Sequence, residues 1–255
     1  MKLRPWAGKF EVVVVAHRGF SAVAPENTLA AFERAIEVGS DMIELDVRLS
    51  KEGEVVVIHD ETLKRTTTGQ GRVIDQTVGE LKSVDAGFKF DPSFRGERIP
   101  KLSEVLELSR GRIRVNIELK IGDYRPWTIL YLTDRVLAEV ERLDMLDQVI
   151  LSSFDPHPLE WALNLRPSIA VAYLYSRPWT HPREVTGGRP FPILHCFKSV
   201  LTKENILRAH QEGIGIGVYT LNTEEEMARF VEMGVDAIIT DHPDRLIRLL
   251  KKEPP

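Results

Sequence analysis

The sequence predicts a (β/α)8 TIM barrel, a single domain over residues 1–255 with a small insertion after the second strand at about 55–100. Three observations predict it. Apolar, strand-like runs alternate with amphipathic helical patterns along the chain, the signature of βαβ units and a parallel sheet. Eight such runs remain when 55–59 is set aside, and eight parallel strands with following helices close into a barrel. The length of 255 residues is that of one such barrel, and 43% apolar residues are enough to build its core. An open doubly wound sheet is the alternative, but no glycine-rich dinucleotide turn follows the first strand.

Val12–Ala16 is a continuous β-branched run, as a strand buried on both faces should be. In Thr28–Val38, Leu29, Phe32, Ala35 and Ile36 fall on one helical stripe; Asn27 or Thr28 can cap it and Gly39 can end it. Met42–Leu49 alternates, with Ile43, Leu45, Val47 and Leu49 on one face and Glu44, Asp46 and Arg48 on the other. Val55–Ile58 is a short strand-like run. The segment 60–100, rich in Thr, Gly, Asp and Lys, interrupts the alternation and reads as an excursion at the barrel rim.

The repeat then resumes. Ser103–Ser109 is a short helix with Ser103 as its cap, Arg114–Leu119 a strand and Thr128–Leu143 a long helix. Strands at Val149–Ser152 and Ile169–Leu174 flank a helix at Pro156–Leu165. Tyr175–Pro192, with four prolines, two adjacent glycines and Trp179, reads as a long loop of the kind that often forms a lid. A strand follows within His195–Val200, then a helix at Lys203–Glu212 ended by Gly213. Ile214–Tyr219 is a strand, Thr223–Glu232 a helix with acidic residues in its first turn, Asp236–Thr240 the last strand and Pro243–Lys251 the closing helix.

Composition removes several function classes. A net charge of −4 argues against a nucleic-acid binder. The single cysteine, Cys196, cannot form a disulfide framework or a Cys/His zinc site, and reads as a small buried hydrophobe. No run approaches the ~20 apolar residues of a membrane span, so no stable membrane insertion is expected. The start, with Lys2, Arg4 and Lys9, leads into an apolar run too short for a signal peptide. A soluble, cytoplasmic protein is the expectation.

Active sites on this fold lie at the C-terminal ends of the strands. There the first strand delivers His17-Arg18-Gly19, the second Glu44 and Asp46, the run at 55–58 His59-Asp60, and the Arg114–Leu119 strand Glu118 followed by Lys120. Three carboxylates facing one mouth repel, and a hard divalent cation, Mg, Mn or Ca rather than zinc, is their natural partner. The competing reading is a salt bridge from Arg48 or Lys120. His17 and His59 can serve as acid and base near neutral pH; the alternative for each is a structural histidine. Arg18 and Lys120 can meet phosphate oxygens or simply balance the carboxylates. His157, His181, His195, His210 and His242 read as structural or solvated.

In this order and spacing, His17-Arg18-Gly19, Pro25-Glu26-Asn27-Thr28, Glu44-Leu45-Asp46-Val47, His59-Asp60, the 66–71 and 96–102 stretches, and Glu118-Leu119-Lys120 form a set. Ser152-Ser153-Phe154, the 219–222 turn and Ile239-Thr240-Asp241 extend it to the last strand. The chain thereby resembles the glycerophosphodiester phosphodiesterase family over nearly its whole length. The resemblance implies a barrel enzyme that releases glycerol 3-phosphate and an alcohol from small-molecule glycerophosphodiesters. It implies that Glu44, Asp46 and Glu118 hold the cation, that His17 and His59 are acid and base, and that Arg18 and Lys120 contact phosphate. Tyr219 stands where the family commonly carries Trp, near the glycerol.

Two other readings stand beside this one. A related enzyme acting on lysophospholipids would need an apolar ramp, for which Phe154, Trp179, Phe191 and Tyr219 are candidates. A catalytically silent barrel that binds a phosphodiester would have lost a histidine or a carboxylate, and none is missing here.

Overall fold

The computed structural model describes residues 8, 11–120, 122 and 126–252. Eight parallel strands close a barrel: β1 (Val13–Ala16), β2 (Met42–Leu49), β4 (Arg114–Leu119), β5 (Val149–Ser153), β6 (Ala170–Tyr175), β7 (Ile193–Phe197), β8 (Gly215–Tyr219) and β9 (Ala237–Thr240). Closure comes from β1, which pairs with β2 on one side and β9 on the other. A ninth strand, β3 (Val55–Val57), runs antiparallel on β2 and stands outside the ring.

A helix follows each barrel strand: α1 (Leu29–Glu37), α3 (Leu102–Ser109), α4 (Pro126–Arg142), α5 (Pro156–Leu165), α6 (Pro182–Thr186), α7 (Lys203–Gln211), α8 (Glu224–Met233) and α9 (Pro243–Lys251). No helix among the described residues is long and apolar enough to cross a membrane.

The period-two pattern of β2 does what its residues dictate. Ile43, Leu45, Val47 and Leu49 pack with the helices in one core cluster, while Glu44 and Asp46 face the other way. Phe32 of α1 joins that cluster fully buried, a contribution of roughly 1.5–3 kcal/mol. Thr28 caps α1 by accepting from the Ala31 amide, worth about 1 kcal/mol. A second cluster, inside the barrel, gathers Val13, Val15, Met42, Ile150, Ala172 and Ile239.

Between β3 and α3 the chain makes an excursion carrying α2 (Val78–Ser83), capped reciprocally by Thr77 and Glu80. It has its own small core of Val56, Ile58, Leu63, Val73, Leu81, Ala86 and Ile99. That core holds the turn after β3 in place, and with it His59.

Several local expectations change. Leu29 is exposed, so the buried stripe of α1 is Ala31, Phe32 and Ala35. The next helix starts at Leu102, before Ser103, because the Glu104 carboxylate caps it by accepting from the Lys101 amide. β7 begins at Ile193 and ends at Phe197, with a 3-10 turn over Lys198–Val200. The proline-rich segment 175–192 is no open loop: it contains α6, capped by His181. Trp179 and Phe191 are both buried in the core, where their apolar surface is worth more than at the rim. Cys196 is buried, and burial pushes its thiol up to about 12.

Candidate active site

The turn after β1 is built for close approach. Arg18 and Asn27 adopt left-handed backbone at φ 55° and 58°, conformations that non-glycine residues hold only where the surroundings enforce them. Gly19, at φ 82°, packs on α1 so tightly that a Cβ would stand 2.6 Å from the Ala31 carbonyl carbon. The Asn27 amide donates to the Arg18 carbonyl at 3.0 Å, and the Arg18 amide donates to Glu44 Oε2 at 3.0 Å. The His-Arg-Gly and Pro-Glu-Asn-Thr segments therefore form one unit clamped onto β2.

Inside the mouth, Glu44, Asp46 and Glu118 each place a carboxylate oxygen within 4.8 Å of the other two. The register explains it: Asp46 lies opposite Glu118 across the β2–β4 pair, and Glu44 is two residues back on the same face. Burial, then the charge of Asp46, raises the pKa of both Glu44 and Glu118. Burial also acts upward on Asp46, but Arg18 and Lys120 outweigh it and hold that carboxyl below the usual range. Three oxygen donors this close, two buried and that of Glu118 partly so, fit a hard divalent cation.

The two cations at the mouth are engaged with these carboxylates. Arg18 pairs with Glu26 at 2.8 Å and Asp46 at 3.3 Å; Lys120 pairs with Glu118 at 2.7 Å and Asp46 at 3.4 Å. Arg48, in contrast, leaves the cluster alone. Its Nε donates to the His59 carbonyl at 2.8 Å, which fixes the turn that carries His59.

His17 comes from the end of β1 and His59 from the turn after β3, and each donates through Nδ1 to an aspartate at 2.6 Å, His17 to Asp241 and His59 to Asp60. A carboxylate on Nδ1 sets the tautomer and leaves Nε2 for chemistry. The two rings differ in electrostatics. Burial lowers the pKa of His17, but the Asp241 hydrogen bond and the charge of Glu44 outweigh it, so the net direction is up. Burial lowers His59 as well; Asp46 opposes, Arg18 and Lys120 reinforce, and the net direction is down.

Several contributors escaped the sequence reading. Asp241 is held by Ser21 Oγ at 3.0 Å and Asn222 Nδ2 at 2.6 Å. Asn27 donates to Asp46 at 2.9 Å. Arg65, from the excursion, grips Glu26 and Asp60 at once with four hydrogen bonds of 2.7–2.9 Å. Asp60, Glu26, Asn27 and Asp241 all sit in motifs visible in the sequence, next to residues already singled out. Arg65 directly precedes the 66–71 stretch and carried no signal of its own.

At the rim, Tyr219 is half-buried and its hydroxyl donates to the Tyr175 carbonyl at 3.4 Å. Phe154 meets it edge-on at 6.2 Å, and exposed Phe197 lies 5.8 Å away. With Trp179 and Phe191 in the core, the aromatic rim is Phe154, Tyr219 and Phe197.

Residues 17–245 match the glycerophosphoryl diester phosphodiesterase family. The chain is 40% identical over 245 residues to a glycerophosphodiester phosphodiesterase of Caldanaerobacter subterraneus, covering 95% of this chain and 99% of that one. A human lysophospholipase D is 27% identical over 270 residues, covering 91% and 84%. Among solved structures, an Oleispira antarctica phosphodiesterase in complex with the product sn-glycerol-3-phosphate superposes with a TM-score of 0.88. It is 29% identical and covers 94% of this chain and 96% of its own.

Proposed function

The chain belongs to the glycerophosphoryl diester phosphodiesterase family and is a glycerophosphodiester phosphodiesterase; on that premise we propose a cation-dependent hydrolysis in which His17 is the general acid and His59 the general base. In this reading residues 1–255 act as one catalytic domain, the excursion at about 55–100 included. Glu44, Asp46 and Glu118 hold a divalent cation, Mg, Mn or Ca. What the cation supplies when bound is neutralisation of charge on a phosphate oxygen. Arg18 and Lys120 turn from their carboxylate partners to the phosphate, and Phe154 and Tyr219 border the bound diester.

The observation that carries the reading is the pair of aspartate-anchored histidines flanking the carboxylates with pKa values moved in opposite directions. Two titratable groups pushed apart in this way divide acid from base. His59, kept neutral, takes the proton of the attacking hydroxyl. His17, kept protonated, delivers one to the departing alkoxide. The nucleophile in this account is the substrate's own C2 hydroxyl: its oxygen bonds to phosphorus, the bond from phosphorus to the alcohol oxygen breaks, and a cyclic phosphate remains. Water then opens the ring with the two histidines in exchanged roles, and glycerol 3-phosphate leaves.

A second reading is favoured by the rim. Phe154, Tyr219 and Phe197 offer an apolar surface beside the mouth, and one similar protein is a lysophospholipase D. The same chemistry would then act on diesters whose alcohol or glycerol carries an acyl chain.

The experiment is an assay of choline, ethanolamine and inositol glycerophosphodiesters and of lysophospholipids, with each of Mg, Mn and Ca and with excess chelator. Turnover that appears with a cation and vanishes with chelator supports the proposal. Undiminished turnover by protein shown metal-free by elemental analysis defeats it. Preference for the lysophospholipids, lost on Phe154→Ala and Phe197→Ala, selects the second reading.

A further inference from the structure

At the end of the barrel opposite the carboxylates, the interior holds a cavity of about 510 Å³. Its wall includes the first residues of four consecutive strands: Ala170 of β6, Ile193 of β7, Gly215 of β8 and Ala237 of β9. Barrels of this class are ordinarily filled by layers of bulky branched side chains. Here β6, β8 and β9 contribute alanine and glycine, and the layers do not meet.

The two glycines of β8 differ in what they leave open. A Cβ on Gly217 would fall 2.5 Å from His195 Cδ2, so that glycine is what admits the imidazole. A Cβ on Gly215 would stand at ordinary contact distance, 3.7 Å from Asp236 Oδ2, so a side chain there can be accommodated. His195 lines the cavity at 3% exposure; its Nδ1 has no hydrogen-bond partner among the described residues and is sealed by its neighbours, so the Nε2 edge is the one a ligand in the cavity can meet. Burial alone pushes its pKa down to about 4, so the ring is neutral and offers one N–H donor and one acceptor. An apolar cavity with a few convergent polar groups is the usual form of a small-molecule site.

The charges around the opening restrict the occupant. Glu11, Asp147 and Asp236 stand among the lining residues, and carboxylates there disfavour an anionic head group. The apolar interior disfavours any charge. A hydroxyl can both donate and accept, and so satisfies His195 in either tautomer.

We propose that this cavity is a second binding site, separate from the hydrolytic mouth, for an uncharged apolar molecule bearing one hydroxyl that pairs with His195. The site shares no residue with the proposed acid, base or cation ligands, so it stands or falls independently of them.

The test titrates Nile red, a neutral apolar dye, into the full-length protein. Fluorescence should rise and saturate at one dye per chain. 1-Nonanol should displace the dye at concentrations roughly tenfold lower than nonane, which lacks the hydroxyl, and than nonanoate, which carries the charge. His195→Phe should erase the advantage of the alcohol over nonane. Gly215→Leu fills the space and should abolish saturable binding while glycerophosphodiester hydrolysis is retained. Absence of saturable binding, undiminished binding by Gly215→Leu, or nonanoate competing as well as nonanol overturns the proposal. Should Gly215→Leu fail to fold, xenon-pressurised crystals of the wild-type chain decide. Xenon in the cavity, displaced by nonanol, supports the site; ordered water alone in the cavity overturns it.

Discussion

His17 Nδ1 donates to Asp241 Oδ1 at 2.6 Å across 224 residues of chain. The first residue after β1 and the first after β9 meet because those two strands pair directly, Ala16 opposite Thr240. That pairing is the seam at which the barrel closes, so the orientation of His17 depends on closure. Asn222 completes the arrangement, donating to Asp241 Oδ2 through Nδ2 and accepting the Asp241 amide through Oδ1.

Asp241→Asn should therefore damage catalysis without dismantling the barrel. It removes the carboxylate that favours the protonated imidazole, so the pKa of His17 falls. The acid form is then lost at lower pH, and the alkaline limb of the kcat/KM profile should move down. Turnover should drop on the order of 10²-fold, with circular dichroism unchanged. An alkaline limb that stays where it is in the wild type would show that Asp241 does not act through His17.

The wild-type profile should be bell-shaped. In the proposed roles His59 must be neutral, and its pKa is lowered, so activity is lost as pH falls below 6.5. His17 must be protonated, and its pKa is raised, so activity is lost as pH rises above 6.5. His59→Ala should flatten the acid limb and His17→Ala the alkaline limb, each with a rate loss of roughly 10²–10⁴. If each variant instead flattens the opposite limb, the two roles are reversed.

The fold was legible because period two and period 3.6 are local signals. The alternation in Met42–Leu49 alone assigns Glu44 and Asp46 to one face and the core leucines to the other. The same local reasoning failed where tertiary contacts decide. Trp179 looked like a lid residue in a proline-rich stretch, and its burial beside Cys196 depends on β7, which the sequence placed two residues late. Arg48 was a candidate partner for the carboxylates, yet it reaches the His59 carbonyl because β3 folds back antiparallel on β2. Asp241 was visible as part of a motif, but its partner lies at the far end of the chain, and one sequence carries no pairing information.

Substitutions at the carboxylate cluster should separate binding from folding. Glu44→Gln, Asp46→Asn and Glu118→Gln should each weaken cation binding in calorimetric titration and reduce turnover. Glu44→Gln has a second consequence. The raised pKa of Glu44 in the folded chain means that its ionisation opposes folding above the unfolded value near 4.5. With chelator present, the variant should melt higher than wild type by a few degrees near neutral pH, about 2–4 °C per kcal/mol for a chain of this size. Near pH 4 the two should melt together. An equal difference at both pH values would exclude the ionisation of the buried Glu44 as the cause.

Arg65 ties the excursion to the mouth through Glu26 and Asp60. Arg65→Ala should release Asp60, which orients His59, and Glu26, which holds Arg18. Because Arg65 is about half exposed, the stability cost should stay near 0–1 kcal/mol. The expected loss is in kcat, roughly tenfold, with the acid limb of the pH profile displaced as Asp60 loses its grip on the ring. A variant that matches wild type in kcat and in that limb would make the contact a surface ion pair with no part in positioning.

The nucleophile can be identified by removing it. A glycerophosphodiester carries a hydroxyl beside the phosphorylated carbon, and a well-oriented internal nucleophile has an effective molarity of up to ~10⁵–10⁸ M. Neither histidine need then activate water in the first step: His59 has only to take a proton from a hydroxyl already delivered by the substrate, while His17 protonates the alcohol that leaves. The rival is direct attack by water, for which the C2 hydroxyl is a spectator. A 2-deoxy analogue with the same phosphodiester and the same leaving alcohol distinguishes them. Internal attack predicts near-total loss of alcohol release, with the analogue still binding as a competitive inhibitor because Arg18, Lys120 and the cation site meet an unchanged phosphate. It also predicts that the natural substrate yields a cyclic phosphate, detectable by phosphorus NMR at early times and consumed as glycerol 3-phosphate forms. Turnover of the analogue at a rate near that of the substrate would make water the nucleophile, and His59 its base.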